Sequence, residues 1–432
     1  MGRWDEARVI SAAPDASSLA AARKLARPGP WSETGSNDVL VWGKCQGSGK
    51  TPYQVSVDTA APAYRCSCPS RKFPCKHALA LLLMWSRGEA SGDNAGTADF
   101  AEEWAAKRAE RATARERRQS DQPADPAAQA KRLADRLQLM DAGISDISLW
   151  LMDLVRTGLA AARNQPYSWW DSVAARMVDS QLPGLAEQVR AMASDIHARA
   201  DWAEHLLLHA GRWWALTKAW SDRDKLTPAE FADVRAALGW ATASAHVAGT
   251  ESLPGPWLVL GAHRSDDGKL QQQRTWLRAP DGTVVVVLDF AGQGQGLATP
   301  QLAGALLDVT LARYPGSAPQ RAMFTSAVAS RGLAAGLGNG GTIADALKEE
   351  AAAVAVSPWR ARHPVLLGAV RFGWGNHGWI QDGTGAALPL IDASMDSLLA
   401  ITGGYPVDVF GELEDGHFRP LTLAIDGTVV TP

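Results

Sequence analysis

The stretch YRCSCPSRKFPCKH (64–77) decides how the first part of the chain folds. Cys66 and Cys68 stand two apart, Cys75 and His77 stand two apart, and six residues separate the pairs. Side chains at i and i+2 of a strand share a face, so Cys66 and Cys68 can both face one ion. Pro69 and Pro74 stiffen the return, and Cys75 and His77 open a helix whose positive end favours a thiolate. Three sulfurs and one imidazole make the closed tetrahedral set of a structural Zn²⁺ and leave no position for a catalytic water. Two other readings remain open. One is a group of free or oxidised cysteines, although a Cys66–Cys68 bridge would be strained at that separation. The other is an iron–sulfur site, for which a single histidine is an unusual ligand.

Upstream of this stretch, VLVWGK (39–44), YQVSVD (53–58) and AYRCS (63–67) read as strands, and residues 15–27 as a short helix. CKHALALLLMWS (75–86) reads as a helix that is apolar on nearly all sides, so it must pack on the strands and on something else. Between the first two strands, CQGSGKT (45–51) imitates a phosphate-binding loop. The first glycine of such a loop belongs at position 44, which is Lys44, and Pro52 and a strand follow where a helix should open. A hairpin connection accounts for Gly47 and Gly49, and no nucleotide is expected at 47–51. GLGNGG (336–341) has the spacing of a dinucleotide-binding turn, but the preceding AVASRGLAA does not read as a strand. GQGQG (292–296) has Leu297 where the third glycine should stand.

The string C-x-C-x6-C-x-H followed by ALALLLMW resembles the SWIM-type zinc finger. The resemblance extends upstream through WGKCQGSGKTPYQVSVD, and to the middle of the chain through ISDISLWLMDLVRTGLA and SQLPGLAEQVR, which resemble the helical part of long bacterial members. It implies one Zn²⁺ held by Cys66, Cys68, Cys75 and His77. It implies binding of protein or DNA, and, as a partner, a MoxR-type AAA ATPase or a von Willebrand A-domain protein, whose genes often adjoin those of such bacterial members. Cys45 lies outside the pattern and reads as a buried structural thiol.

The chain has 432 residues and a formal net charge of −3, so any nucleic-acid footprint must be local. Its four cysteines all fall within the first 75 residues, which points to one local site and not to a disulfide framework. The first residues carry no apolar segment behind basic ones, and no apolar run is long enough for a bilayer, so a cytoplasmic protein is expected. Residues 1–92 hold twelve Lys/Arg against seven Asp/Glu. Arg65, Arg71, Lys72 and Lys76 surround the ligands. They read either as phosphate or partner contacts or as compensation for the net negative charge of a zinc trithiolate.

The expected fold is multidomain α+β. A small β-hairpin/helix zinc finger domain covers 1–92 and a charged linker 93–125, a solvated helix or arm. A helical bundle covers 126–250 and an α+β domain 251–432. Asp125 is expected to cap the first bundle helix, with Pro126 at its first position. Leu133, Leu137, Met140, Ile144, Ile147, Leu151 and Leu154 form one continuous apolar seam, with Gly143 as the one place where it could break. The Trp169–Trp170 and Trp213–Trp214 pairs read as buried anchors. Strands are expected at WLVLGAH, TVVVVLDF, PVLLGAVRF, VDVFGEL and PLTLAID, and helices at LAGALLDVTLARY and ADALKEEAAAVA. His205 and His209 lie one turn apart, but Leu206 stands where a metalloprotease has glutamate, so a helical-face pair without metal is expected. His363 and His377 lie near RFGWGNHGW, which reads as a tight turn with packed tryptophans, with a pocket lining as the alternative. No catalytic constellation is evident, and the expected function is a non-enzymatic interaction protein, with nucleic-acid binding as the alternative.

Overall fold

The structure, a computed structural model, describes the chain except residues 1–3, 7–8, 10–11, 14–15, 48, 50, 60–62, 71–73, 91–95, 121–125, 267–269, 293–296, 298–301, 319 and 376. Of residues 16–17, 111–120, 266 and 292 it describes the backbone alone. The expected cap Asp125 and the cations Arg71 and Lys72 thus lie outside the described residues. The chain forms two compact units. The first comprises 1–123 with 263–274 and 288–300, and the second comprises the remainder. Residues 263–274 and 288–300 thus belong to the first unit.

In the first unit, helix α1 (Ala16–Leu25) precedes a four-stranded antiparallel sheet of β1 (Trp31–Ser36), β2 (Leu40–Cys45), β3 (Tyr53–Asp58) and β4 (Ala63–Cys66), ordered as in the chain. β1 was not legible. WSETGS buries only Trp31 and Gly35, and its pairing with β2 makes it a strand. Cys45 pairs with Tyr53 across the β2–β3 hairpin, so the GSGK string is a strand connection and no helix follows it. Gln46 Nε2 donates to the carbonyls of Gly47 and Gly49 and holds the connection closed.

Helix α2 (Lys76–Ser86) is buried at every position from His77 to Trp85, as an all-round apolar helix must be. It packs on α1 and on the sheet face that carries Val41, Val55 and Val57. The opposite face, with Leu40 and Trp42, is covered by α3 (Asp99–Ser120) through Ala101, Phe100, Trp104 and Ala105. The first turns of the expected charged linker are therefore a packed layer. Four apolar residues in two adjacent pairs one turn apart form a stripe narrow enough to be hidden in a charged sequence. Arg108 Nε lies 3.5 Å from Asp58 Oδ2 and ties α3 to β3.

The second unit begins with a bundle of α4 (Pro126–Thr157), α5 (Leu159–Arg163), α6 (Tyr167–Asp179), α7 (Pro183–Ala198), α8 (Trp202–Ser221), α9 (Pro228–Ala237) and α10 (Ser244–Ala248). α4 is continuous through Gly143. A Cβ there would lie 2.4 Å from that of Ser180, so glycine is present for close helix approach. The seam is buried from Met140 to Leu154, whereas Leu133 is exposed. Trp170 and Trp213 are fully buried, and Trp150 and Trp169 pack around them with ring centroids 5.0–6.3 Å apart.

Two sheets follow. The first has the order β12-β9-β6-β7-β8-β11-β10-β5, built from β5 (Ser252–Leu253), β6 (Trp257–Asp266), β7 (Leu270–Arg278), β8 (Val284–Gly292), β9 (Ala305–Asp308), β10 (Leu311–Arg313), β11 (Arg321–Phe324) and β12 (Ala329–Leu333). LAGALLDVTLARY was expected as a helix and is instead β9 and β10. Its short apolar run fits either state, and β6, β11 and β12 supply the strand partners that decide it. ASRGL was not expected to be a strand and is β12. It pairs antiparallel with β9, so no parallel dinucleotide unit arises there. The loop that follows needs glycine for contact. A Cβ on Gly340 would lie 2.3 Å from Gly368 N.

After α11 (Ile343–Val356), β13 (His363–Trp374), β14 (Gly378–Gln381), β15 (Ala387–Pro389), α12 (Met395–Thr402), β16 (Val407–Glu414), β17 (His417–Ile425) and β18 (Thr428–Val430) complete the unit. The strands form an antiparallel sheet of order β15-β14-β13-β16-β17-β18. Glu412 is fully buried here and accepts from Trp276 Nε1 at 2.8 Å and Arg419 Nη1 at 3.0 Å. Among the described residues no helix is long and apolar enough to cross a membrane.

Arg419→Met removes the guanidinium that pairs with Glu412, Glu414 and Asp392, and leaves the buried Glu412 carboxylate with Trp276 and the more distant Arg362, 3.9 Å away. Breaking such a pair costs about 3–5 kcal/mol. Chemical denaturation of the full chain should show a loss of that size in the transition of the second unit. A loss below about 1 kcal/mol would show that the buried pair contributes little net stability.

Candidate metal centre

The metal-binding residues come from the end of β4, the turn beyond it and the start of α2. β4 ends at Cys66, and Ser67 continues the pairing. Its backbone N–H donates to Gln54 O at 3.0 Å, and its hydroxyl accepts from Gln54 N at 3.0 Å. Cys68 therefore sits in the turn, not on the strand as the i, i+2 argument supposed. It is nonetheless buried and gathered with Cys66. Cys75 occupies the N-cap of α2 with an extended backbone, and His77 lies in the first turn. The helix N-terminus places its positive end against the sulfur of Cys75.

The four donor atoms of Cys66, Cys68, Cys75 and His77 all lie within 4.8 Å of one another. His77 Nδ1 is 3.7 Å from Cys66 Sγ and 4.0 Å from Cys75 Sγ. Zn–S bonds of about 2.3 Å and Zn–N bonds of about 2.0–2.1 Å at tetrahedral angles require S···N edges of about 3.5 Å, so the set fits one Zn²⁺ with little contraction. The thiols are crowded enough to share protons. Hydrogen bonding from Cys66, and then from Cys75, holds Cys68 well below the usual thiol range, while the same exchange pushes Cys66 up. A bound cation would take these sulfurs as thiolates. The Tyr53 ring packs against His77, tilted by 38° with centroids 4.9 Å apart.

Cys45 stands apart from the four ligands. It is fully buried, and burial pushes its thiol up to about 11, so it remains a protonated core residue. Arg65 and Lys76 of the expected basic face are exposed. Arg65 has a neighbour that the local sequence does not show, since it lies within electrostatic reach of Glu103 on α3.

The second histidine pair acquires a third member. His205 and His209 on α8 meet Asp415, which lies between β16 and β17. Sequence reasoning missed Asp415, which is about two hundred residues away along the chain. The only local signal was the one-turn spacing of the histidines. Burial opposes a charge on His205, but Asp195 and Asp415 outweigh it and lift the imidazole to about 9. His363 is half-buried at the start of β13, where burial, and then Arg360, hold its pKa down. His377 lies in the β13–β14 turn, apart from the described His/Cys/Asp/Glu clusters.

A finger with this strand–turn–helix geometry and a Cys3His donor set defines a zinc-binding protein. Residues 53–86 match the SWIM zinc finger family, and residues 135–238 match the SWIM-associated four-helix bundle domain. The chain carries a SWIM zinc finger with Cys66, Cys68, Cys75 and His77 positioned to bind one zinc ion, followed by the helical domain that accompanies such fingers. No curated protein and no solved structure matches the chain.

Cys75→Ala should lower bound zinc by about one equivalent per chain and unfold the finger, because metal binding supplies folding free energy in sites of this size. Elemental analysis with circular dichroism reads both. Unchanged zinc content in that variant would remove Cys75 from the ligand set.

Proposed function

We propose that the protein is a non-enzymatic interaction protein of the cytoplasm that binds protein partners, with the zinc finger as a rigid structural element. A reducing compartment keeps three thiols available for metal. The observation that carries this reading is an apolar groove on the helical bundle. Leu151, Met152 and Val155 of α4 and Leu207, Ala210 and Trp214 of α8 line a cavity of about 410 Å³. Val155 is 61% exposed and Leu207 58% exposed. Apolar side chains gathered in one groove favour a partner surface over scattered exposure. The groove suits the apolar face of a partner's amphipathic helix, and Arg156 at its edge suits an acidic residue beside that face. Gly211 on its wall faces open space, since a Cβ there would meet nothing within 4 Å. A MoxR-type AAA ATPase or a von Willebrand A-domain protein is the partner class we favour, on resemblance to the long bacterial SWIM-finger proteins.

Nucleic-acid binding by the finger is the second reading, supported by the exposed Arg65 and Lys76. Four phosphate contacts, with Arg71 and Lys72, would give a log–log salt slope of roughly −3 to −4 on duplex DNA. The proximity of Glu103 to Arg65 opposes a phosphate there.

Affinity purification of the full chain from its native host, with nuclease treatment and quantitative mass spectrometry, separates the two readings. The expected outcome is a protein set that survives nuclease and falls at least about tenfold with Leu207→Asp. That loss corresponds to about 1.4 kcal/mol or more of binding. A set that disappears with nuclease, joined to tight DNA binding lost in an Arg65→Ala/Lys76→Ala variant of intact zinc content, would favour the second reading and sink the first.

A further inference from the structure

We propose that His205, His209 and Asp415 form a second metal site, one that takes a divalent transition ion of the zinc class. The site lies wholly within the second unit and is independent of the finger. His209 Nε2 lies 3.0 Å from Asp415 Oδ2, and His205 Nδ1 lies 3.4 Å from the same oxygen. The two imidazole centroids are 4.4 Å apart. Tetrahedral bonds of about 2.0–2.2 Å to nitrogen and oxygen require donor–donor edges of about 3.3–3.5 Å, so one ion can bridge all three side chains with small adjustments.

His205 points to a ligand most directly. Its side chain is only 5% exposed, and among the described residues neither ring nitrogen has a hydrogen bond of good geometry. Each nitrogen stands 3.4 Å from a carboxylate oxygen, longer than a good hydrogen bond, and an ion between Nδ1 and Asp415 would close that gap. Its Nε2 faces Asp195 Oδ2 at 3.4 Å while its Nδ1 faces Asp415. That is the carboxylate–histidine–metal arrangement, in which an outer carboxylate orients the imidazole and raises its basicity.

Asp415 is held in an analogous way. Its Oδ1 accepts from Arg212 Nη1 at 2.8 Å, and its Oδ2 faces the two imidazoles, where an ion would take the place of the His209 hydrogen bond. The backbone serves the placement. Asp415 and Gly416 both have positive φ, 48° and 76°, in the two-residue turn between β16 and β17. Such a turn carries the carboxylate at the tip of a rigid hairpin. The histidines lie one helical turn apart on α8. Two imidazoles and a carboxylate suit zinc-class ions and disfavour Mg²⁺ and Ca²⁺, which take oxygen donors. Of the nearby cations, Arg212 is engaged by Asp415 and Arg199 by Asp201 at 2.7 Å. Three protein donors leave one tetrahedral position for water.

The test is zinc stoichiometry of the full chain, stripped with a chelator and dialysed against buffered low-micromolar free zinc. The wild type should hold about two zinc ions per chain, and His209→Ala and Asp415→Asn about one, with unchanged circular dichroism. Cys75→Ala should lose the finger zinc and keep the other. Cobalt(II) provides a readout that needs no variant. A second cobalt should add visible d–d absorption without further sulfur-to-cobalt charge-transfer absorption. One zinc at every free-zinc level in the wild type would overturn the proposal. So would a second zinc that survives in both His209→Ala and Asp415→Asn, or a second cobalt with sulfur charge transfer.

Discussion

The first unit depends on the junction between β4 and α2. Helix α2 is buried on every side, so no polar face tells it which way to turn. Apolar contact is non-directional and cannot by itself set rotation or register. The ligand geometry does so, because Cys75 and His77 at the start of α2 must meet Cys66 and Cys68 at the end of β4. The sheet, α1 and α3 then form the layers around a helix whose start is pinned. A domain with so small a core gains from such a staple, since little apolar area is available to outweigh chain entropy.

The second unit holds together differently. Its bundle has a continuous apolar core with tryptophans at its centre, and several arginines lie over tryptophan faces at the margins. Arg136 and Arg235 both lie 4.3 Å from the Trp240 ring centroid, and Arg223 lies 4.8 Å from that of Trp220. These contacts let a helix end in water without exposing the ring. The same bundle leaves one groove between α4 and α8 uncovered, and it presents His205 and His209 on α8 toward the β16–β17 turn. Helix α8 thus serves the core, the groove and the histidine cluster by turning different faces to each.

The finger was legible because its information is local. Four ligands lie within twelve residues, and the strand and helix that carry them have their own apolar signatures. The bundle was legible from its periodic seam, whose buried part begins at Met140. The misreadings share one cause. WSETGS, LAGALLDVTLARY and ASRGL carry weak or ambiguous periodicity, and each became strand through a partner distant in sequence. The first turns of α3 were read as solvated because their four apolar residues are outnumbered by charges, yet Leu40 and Trp42 await exactly such a stripe in space and not in sequence.

The sequence by itself determined the zinc ligands, the hairpin character of the GSGK string and the helical nature of the bundle. Each follows from residue types at short spacing. Tertiary structure alone decided what covers the outer face of the finger sheet, which ambiguous segments are strands, and which carboxylate meets the histidine pair. Asp415 reaches His205 and His209 only after a hairpin from the far end of the chain docks on α8. Spacing arguments end where side chains more than a few turns apart must find one another. Beyond that range, burial and strand pairing choose the neighbours.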